Sequence, residues 1–83
     1  THSDDYSEVT QGNTTYYFTS MQASAVRYMH ERHRKGKAII YQHDILAHVK
    51  SESSRLREIF KDDPAWGTLI VRAKNNYYKL DIV

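Results

Sequence analysis

Apolar residues in this chain change their spacing several times, and each change marks an element. From Thr19 to about Arg34 the positions Met21, Ala25, Val26, Tyr28 and Met29 recur at helical intervals and give a first helix a broad apolar side. Thr19 and Gln22 fit the S/T-x-x-E/Q capping box at its start, and Phe18, just before the cap, can staple back onto Ala23. Arg32, Arg34 and Lys35 gather at the C-terminal end, where the helix dipole favours cations, and Gly36 supplies the stop. Ala38 to Tyr41 is β-branched and aromatic but too short for a helix, so a brief strand or extended link is predicted. Gln42 to Val49 returns to helical spacing, with Asp44 in the first turn and Ile45, Leu46 and Val49 inward.

The stretch from Ser51 to Lys61 predicts a third helix, about residues 52–61, with Leu56, Ile59 and Phe60 at i, i+3 and i+4 as its buried stripe. Ser51 is the expected N-cap, and Pro64 ends the helix because Asp63 before it is pushed out of the helical region. Opposite the stripe lie Ser54, Arg57, Glu58 and Lys61, with Arg55 on one flank. Trp66 to Ile82 reads as a hairpin turning at Asn75-Asn76, residues that tolerate the positive φ both centres of a type I′ turn require. That register pairs Ala73 with Tyr78, Val71 with Leu80 and Leu69 with Ile82 on an apolar face, and Arg72 with Lys79 and Ile70 with Asp81 on the other. The core is then expected to unite Leu56, Ile59, Phe60, Trp66, Val71 and Leu80. Residues 1–15 are polar, acidic and almost free of aliphatics, and a disordered or loosely laid tail is predicted before a domain spanning residues 16–83.

Composition narrows the partners. Eighty-three residues make one domain, and a chain this short buries only about 60% of its extended surface, so a dimer is an expected source of further burial. The sequence starts at Thr1 rather than Met, which points to a piece of a longer protein. There is no cysteine, and hence no disulfide or thiolate metal site. No apolar run approaches a membrane span and no signal-peptide pattern is present, so a cytoplasmic protein is expected. The net charge of +2 is unevenly placed: all 12 Lys and Arg lie between Arg27 and Lys79, leaving the first 26 residues at −3 and the rest at +5. A basic domain with an acidic extension is the footprint of a polyanion partner.

Helix, short strand, helix, turn, basic helix and basic-tipped hairpin is an order that resembles the winged-helix family of DNA-binding domains over about residues 19–82. The runs Ser53-Ser54-Arg55-Leu56-Arg57 and Pro64-Ala65-Trp66-Gly67, with Leu69 to Val71 and Tyr77 to Leu80, are similar to those of small bacterial and phage-type members. The resemblance implies an α+β fold of three helices on a short antiparallel sheet with a C-terminal wing. It implies that Ser53, Ser54, Arg55, Arg57 and Lys61 face double-stranded DNA from the helix, and Arg72, Lys74, Tyr77 and Lys79 from the wing. Such domains also dimerise through the first helix and N-terminal extension, and the Met21 to Met29 stripe with Tyr16, Tyr17 and Phe18 offers apolar surface there. Glu58, central on the outward side, departs from the pattern, since a carboxylate repels phosphates unless it pairs with Arg55 or Lys61 or accepts from cytosine N4.

Other constellations read as structural. His30 and His33 have a helical spacing that can bind zinc, but no cysteine or suitably placed carboxylate joins them, so no metal or cofactor is expected. His43 is expected at the surface or on a phosphate, and His48 partly buried. Ser51, Ser53 and Ser54 lack a base-and-orienter set, so no catalytic site or small-molecule substrate is expected. Trp66 is expected to plug the seam between the third helix and the hairpin rather than stack on a base. The sequence thus leads to duplex DNA binding by a small regulator of transcription or by the DNA-binding module of a larger replication or mobile-element protein. The alternative is a winged-helix module that binds an acidic protein partner, favoured by Glu58 and the acidic N-terminus.

Overall fold

Strand-forming segments at the two ends of the chain build separate sheets, and the helices between them supply the shared core. The computed structural model describes residues 2–50, 55–61 and 63–81. The element order is β1 (Glu8–Gln11), β2 (Thr14–Tyr17), α1 (Ser20–Arg34), β3 (Ile40–Tyr41), α2 (Gln42–His48), α3 (Leu56–Ile59), β4 (Ile70–Lys74) and β5 (Tyr77–Leu80). β1 and β2 form an antiparallel hairpin, and β3, β5 and β4 form an antiparallel sheet in that order. This is a small α+β domain with three helices among the described residues, none of them long and apolar enough to cross a membrane.

Residues 2–15 are not a loose tail: they contribute β1 and the start of β2. Gly12, with φ 61°, is the first central residue of the two-residue loop, the sign a type II′ turn requires. Val9 and Tyr16 pair across the hairpin, and both are buried with Tyr6 and Phe18 in the main core. The expectation failed because two side chains suffice: among the described residues Tyr6 and Val9 are the segment's only buried apolar ones, and both join a core that Tyr16 and Phe18 continue. The Tyr6 hydroxyl hydrogen-bonds His30 Nδ1 at 2.7 Å, and the His2 ring stacks on Tyr6 at 3.9 Å. Tyr16 donates to Thr68 Oγ1 at 3.0 Å, tying the hairpin to the loop before β4.

α1 begins as its sequence predicts. Thr19 Oγ1 accepts from the Gln22 N–H, and Gln22 Oε1 accepts from the Thr19 N–H. Ala23, Ala25, Val26 and Met29 are buried. Met21 is 42% exposed, because Ala23 is the first-turn residue on the buried side. Tyr28 reaches α2 by stacking on His48, which is exposed rather than partly buried. β3 joins the sheet through Ile40 and Tyr41 opposite Tyr78 and Tyr77.

The third helix is much shorter than residues 52–61. It spans only Leu56–Ile59 and follows an extended Arg55 (φ −136°, ψ 138°). The Leu56 N–H, which has no partner within the helix, is taken by the side chain of Gln42. The expected Ser51 cap lies outside the described residues, as do Ser53, Ser54 and the Ile82 pairing. Leu56 and Phe60 are fully buried, and Ile59 packs against the core. An aromatic series then crosses the domain: Phe18 meets Phe60 edge-on at 5.8 Å, Phe60 lies 6.3 Å from Trp66, and Trp66 lies 5.1 Å from Tyr78. Trp66 therefore sits in the seam between α3 and the second hairpin.

That hairpin keeps the two-residue turn at Asn75-Asn76 but not the pairing predicted beyond it. Lys74 faces Tyr77, but Ala73 is an extra residue, and beyond it Arg72 faces Tyr78, Val71 faces Lys79 and Ile70 faces Leu80. Of the two turn asparagines only Asn76 has a positive φ, 67°, so the turn is not type I′ and the ladder absorbs the difference as a bulge. The faces exchange accordingly. Ile70 is buried at 1% exposure, whereas Val71, expected in the core, is only half-buried.

Deleting residues 1–15 removes Tyr6 and Val9 from the core. At about 1.5 to 3 kcal/mol per buried large side chain, we expect a loss of roughly 3 to 6 kcal/mol, read as a lowered midpoint in urea unfolding. An unchanged midpoint would remove the hairpin from the core. A second expectation concerns pH. Burial lowers the His30 pKa below its ordinary 6.5, with the neighbouring His2 and Arg34 charges adding to the effect. The unfolded chain therefore takes up a proton more readily than the folded one, so stability is full above the ordinary value and falls as pH drops through the lowered one. Unfolding free energy should decrease from about pH 7 to about pH 5, and His30→Gln should lessen that decrease; an equal decrease in both proteins would refute the assignment.

Candidate polyanion-binding cleft

The bulge at Ala73 has a direct effect on charge placement. Cross-strand partners share a face of the sheet, so pairing Arg72 with Tyr78 turns it to the core-facing side and away from Lys79, its expected partner. There Arg72 meets Arg55 and Arg57 from α3 and its entry. Together with Gln42, His43, Asn75, Asn76 and Tyr78 they line an open cleft of about 560 Å³. Among the described residues no carboxylate lines it. Three guanidinium groups thus share one concavity, and among the described residues none of them forms an ion pair.

Gln42 sets the width of this cleft. It is buried at 5% exposure, at the start of α2, and its side-chain oxygen, side-chain nitrogen and backbone N–H are all used. Its Oε1 accepts from the Leu56 N–H at 3.0 Å, its Nε2 donates to Asn76 Oδ1 at 2.8 Å, and its backbone N–H donates to the Asn76 carbonyl at 2.8 Å. One side chain therefore joins the start of α3 to the turn between β4 and β5. At the other end of α3, Gln22 Nε2 donates to the Ile59 carbonyl at 2.9 Å. A four-residue helix cannot satisfy its terminal backbone groups internally, and these carboxamides take one at each end.

The other expected contact residues lie elsewhere. Lys61 is exposed past the end of α3, and Lys79 is exposed on the opposite face of β5. Lys74 is at the hairpin tip with its Nζ 4.5 Å from the centre of the Tyr77 ring, and Tyr77 is half-buried against Tyr41 at 5.2 Å. His43, exposed as expected, lines the cleft beside Tyr41. Glu58 is exposed in the single turn of α3 and is not among the lining residues. Gln42, Asn75 and Asn76 were not expected in the site. The asparagines were legible only as turn formers, and Gln42 carried no local signal because its partners lie 14 and 34 residues away. Among the described residues no group of three His, Cys, Asp or Glu side chains could hold a metal ion.

Gln42→Leu preserves bulk while leaving the Leu56 N–H and the Asn76 carboxamide without partners. We expect a cost of about 1 to 3 kcal/mol in thermal unfolding and faster hydrogen exchange at the Leu56 amide. Undiminished protection of that amide would show that Gln42 does not hold α3.

The chain matches no protein-family model, no curated protein and no solved structure. Its functional reading rests on the cleft.

Proposed function

We propose that this chain is a winged-helix domain that binds double-stranded DNA, acting as a small regulator or as the DNA-binding module of a larger protein, and that it binds rather than catalyses. The observation that carries the reading is the convergence of Arg55, Arg57 and Arg72 on one cleft whose described lining holds no carboxylate. Arginine presents a planar fork that matches phosphate oxygens bidentately, and clustering three of them releases counterions from a polyanion when it docks. The cleft lies between α3 and the β4–β5 hairpin, and on this reading α3 serves as the recognition helix and the hairpin as the wing. Because α3 is a single turn, backbone phosphates are the main expected target, with Arg57 the residue nearest to a base-reading role.

A second reading keeps the same arginines and changes the partner. The exposed Glu58 beside Arg57, and a helix too short to fill a major groove, favour an acidic protein segment over duplex DNA.

The two separate in a salt titration of duplex binding. On the DNA reading, log K falls linearly with log salt, and Arg55→Ala, Arg57→Ala and Arg72→Ala each reduce the slope by about 0.9 for every phosphate left unneutralised. Lys79→Ala, on the other face of the sheet, leaves the slope nearly unchanged. No salt-dependent duplex affinity, with binding of an acidic peptide abolished in the same arginine variants, would overturn the DNA reading in favour of the protein partner.

A further inference from the structure

The β1–β2 hairpin treats its two edges differently. Along the outer edge of β1 the preceding segment closes the backbone: His2 bridges to Val9, the Ser3 N–H donates to the Glu8 carbonyl at 2.9 Å, and Ser3 Oγ accepts from the Glu8 N–H at 3.1 Å. Asp4, Asp5 and Glu8 all belong to β1 or the segment before it, and β2 holds no carboxylate. Among the described residues the outer edge of β2 has no such cover. Its sequence is Thr14-Thr15-Tyr16-Tyr17, without a charge, a proline or a glycine, and it carries no bulge. Soluble proteins blunt exposed edge strands with those devices.

The hydrogen-bond pattern fixes which groups face outward. The Phe18 N–H donates to the Ser7 carbonyl at 2.8 Å, so Ser7 and Phe18 are a bonded pair. Bonded and non-bonded pairs alternate in an antiparallel ladder. Tyr16 is then bonded toward Val9, and the N–H and C=O groups of Thr15 and Tyr17 point away from β1. Among the described residues no backbone bond reaches those four groups. The Tyr17 side chain is 72% exposed, more than Ile39 or Met21.

We infer that this edge is a self-association surface, on which the β2 strand of a second copy pairs antiparallel about a two-fold axis to form a four-stranded sheet. An axis through Tyr16 sets Thr15 opposite Tyr17 of the other copy, and Tyr17 opposite its Thr15. Both are bonded pairs, so the four outward backbone groups on each strand find partners at once. On the outer face each Tyr17 ring covers a threonine, a favourable aromatic with β-branched pairing. A second copy is the occupant the strand itself selects: the edge is self-complementary in register, and with no carboxylate on β2 no like charges are brought together. The interface involves four residues from each copy and falls below the roughly 1,200 Å² of stable complexes, so the dimer is weak and concentration-dependent. None of the cleft residues takes part, so self-association stands or falls apart from the DNA reading.

The test is sedimentation equilibrium of the whole chain up to about 1 mM, with isotope-filtered NMR on a mixture of labelled and unlabelled protein. A dimer is expected, with an intermolecular NOE between the two Tyr16 Hα protons. Tyr17→Lys removes the ring that covers a threonine of the other copy, so two aromatic–threonine pairs are lost and the dimer Kd should rise several-fold. Thr15→Pro removes only an outward N–H and should do the same; should proline disturb the hairpin, the surface substitution Tyr17→Lys still decides. A monomer at the highest concentration, a dimer lacking the Tyr16 NOE, or a dimer indifferent to Tyr17→Lys would each overturn the proposal.

Discussion

Two side-chain amides hold a helix that could not hold itself. α3 is one turn long, and fixing the first turn of a helix costs several dihedral angles for a single hydrogen bond, so nothing intrinsic to Leu56–Ile59 favours it. Burial of Leu56 and Phe60 supplies the adhesion, and Gln42 and Gln22 supply the direction by taking the Leu56 N–H and the Ile59 carbonyl. Gln42 also grips Asn76 at both backbone and side chain, so the two walls of the arginine cleft are not independent. Mutual repulsion among Arg55, Arg57 and Arg72 tends to open the cleft, and this linkage opposes it. The cationic site is thus preorganised by an uncharged residue beneath it.

The same division between local and distant interactions decides what could be read from the chain. The capping box of Thr19 and Gln22 is complete within four residues, and α1 starts where it directs. Ile40 and Tyr41 were legible as a brief strand because β-branched and aromatic residues had no other use there, and they pair with β5. The length of α3 was not legible, since it depends on an amide from α2. Nor was the register beyond Ala73, because both Asn75 and Asn76 tolerate a positive φ and the sequence does not say that only one adopts it. The β1–β2 hairpin did carry a signal: Gly12-Asn13 between Val9-Thr10 and Thr14 to Tyr17 is a two-residue turn between β-forming runs. Its acidity outweighed that signal. Of the expected site residues, Arg55, Arg57 and Arg72 converge, and the bulge that takes Arg72 away from Lys79 is what brings it there.

Charge is segregated along with structure. The segment that completes the N-terminal hairpin holds Asp4, Asp5 and Glu8, whereas every lysine and arginine lies from Arg27 onward. Asp5 is engaged locally: its carboxylate accepts from the Ser7 N–H and the Ser3 hydroxyl, and these bonds hold its pKa below the ordinary value. Asp5 therefore serves turn geometry near one end of the chain, while no carboxylate among the described residues lines the arginine cleft.

The strand order β3-β5-β4 has a bearing on how the chain acquires its shape during synthesis. β5, the most C-terminal of the described strands, is the central one, and β3 and β4 each pair only with it. Until β5 has left the ribosome, β3 and β4 have no strand between them to pair with. Contacts that span so much of the sequence form slowly, because the loop they close must first be ordered. Until Tyr77–Leu80 emerge, the nascent chain presents α1 with an open apolar side, the state in which chaperone capture competes with folding. Completion of the domain is then a late event that sets the sheet and both walls of the cleft together.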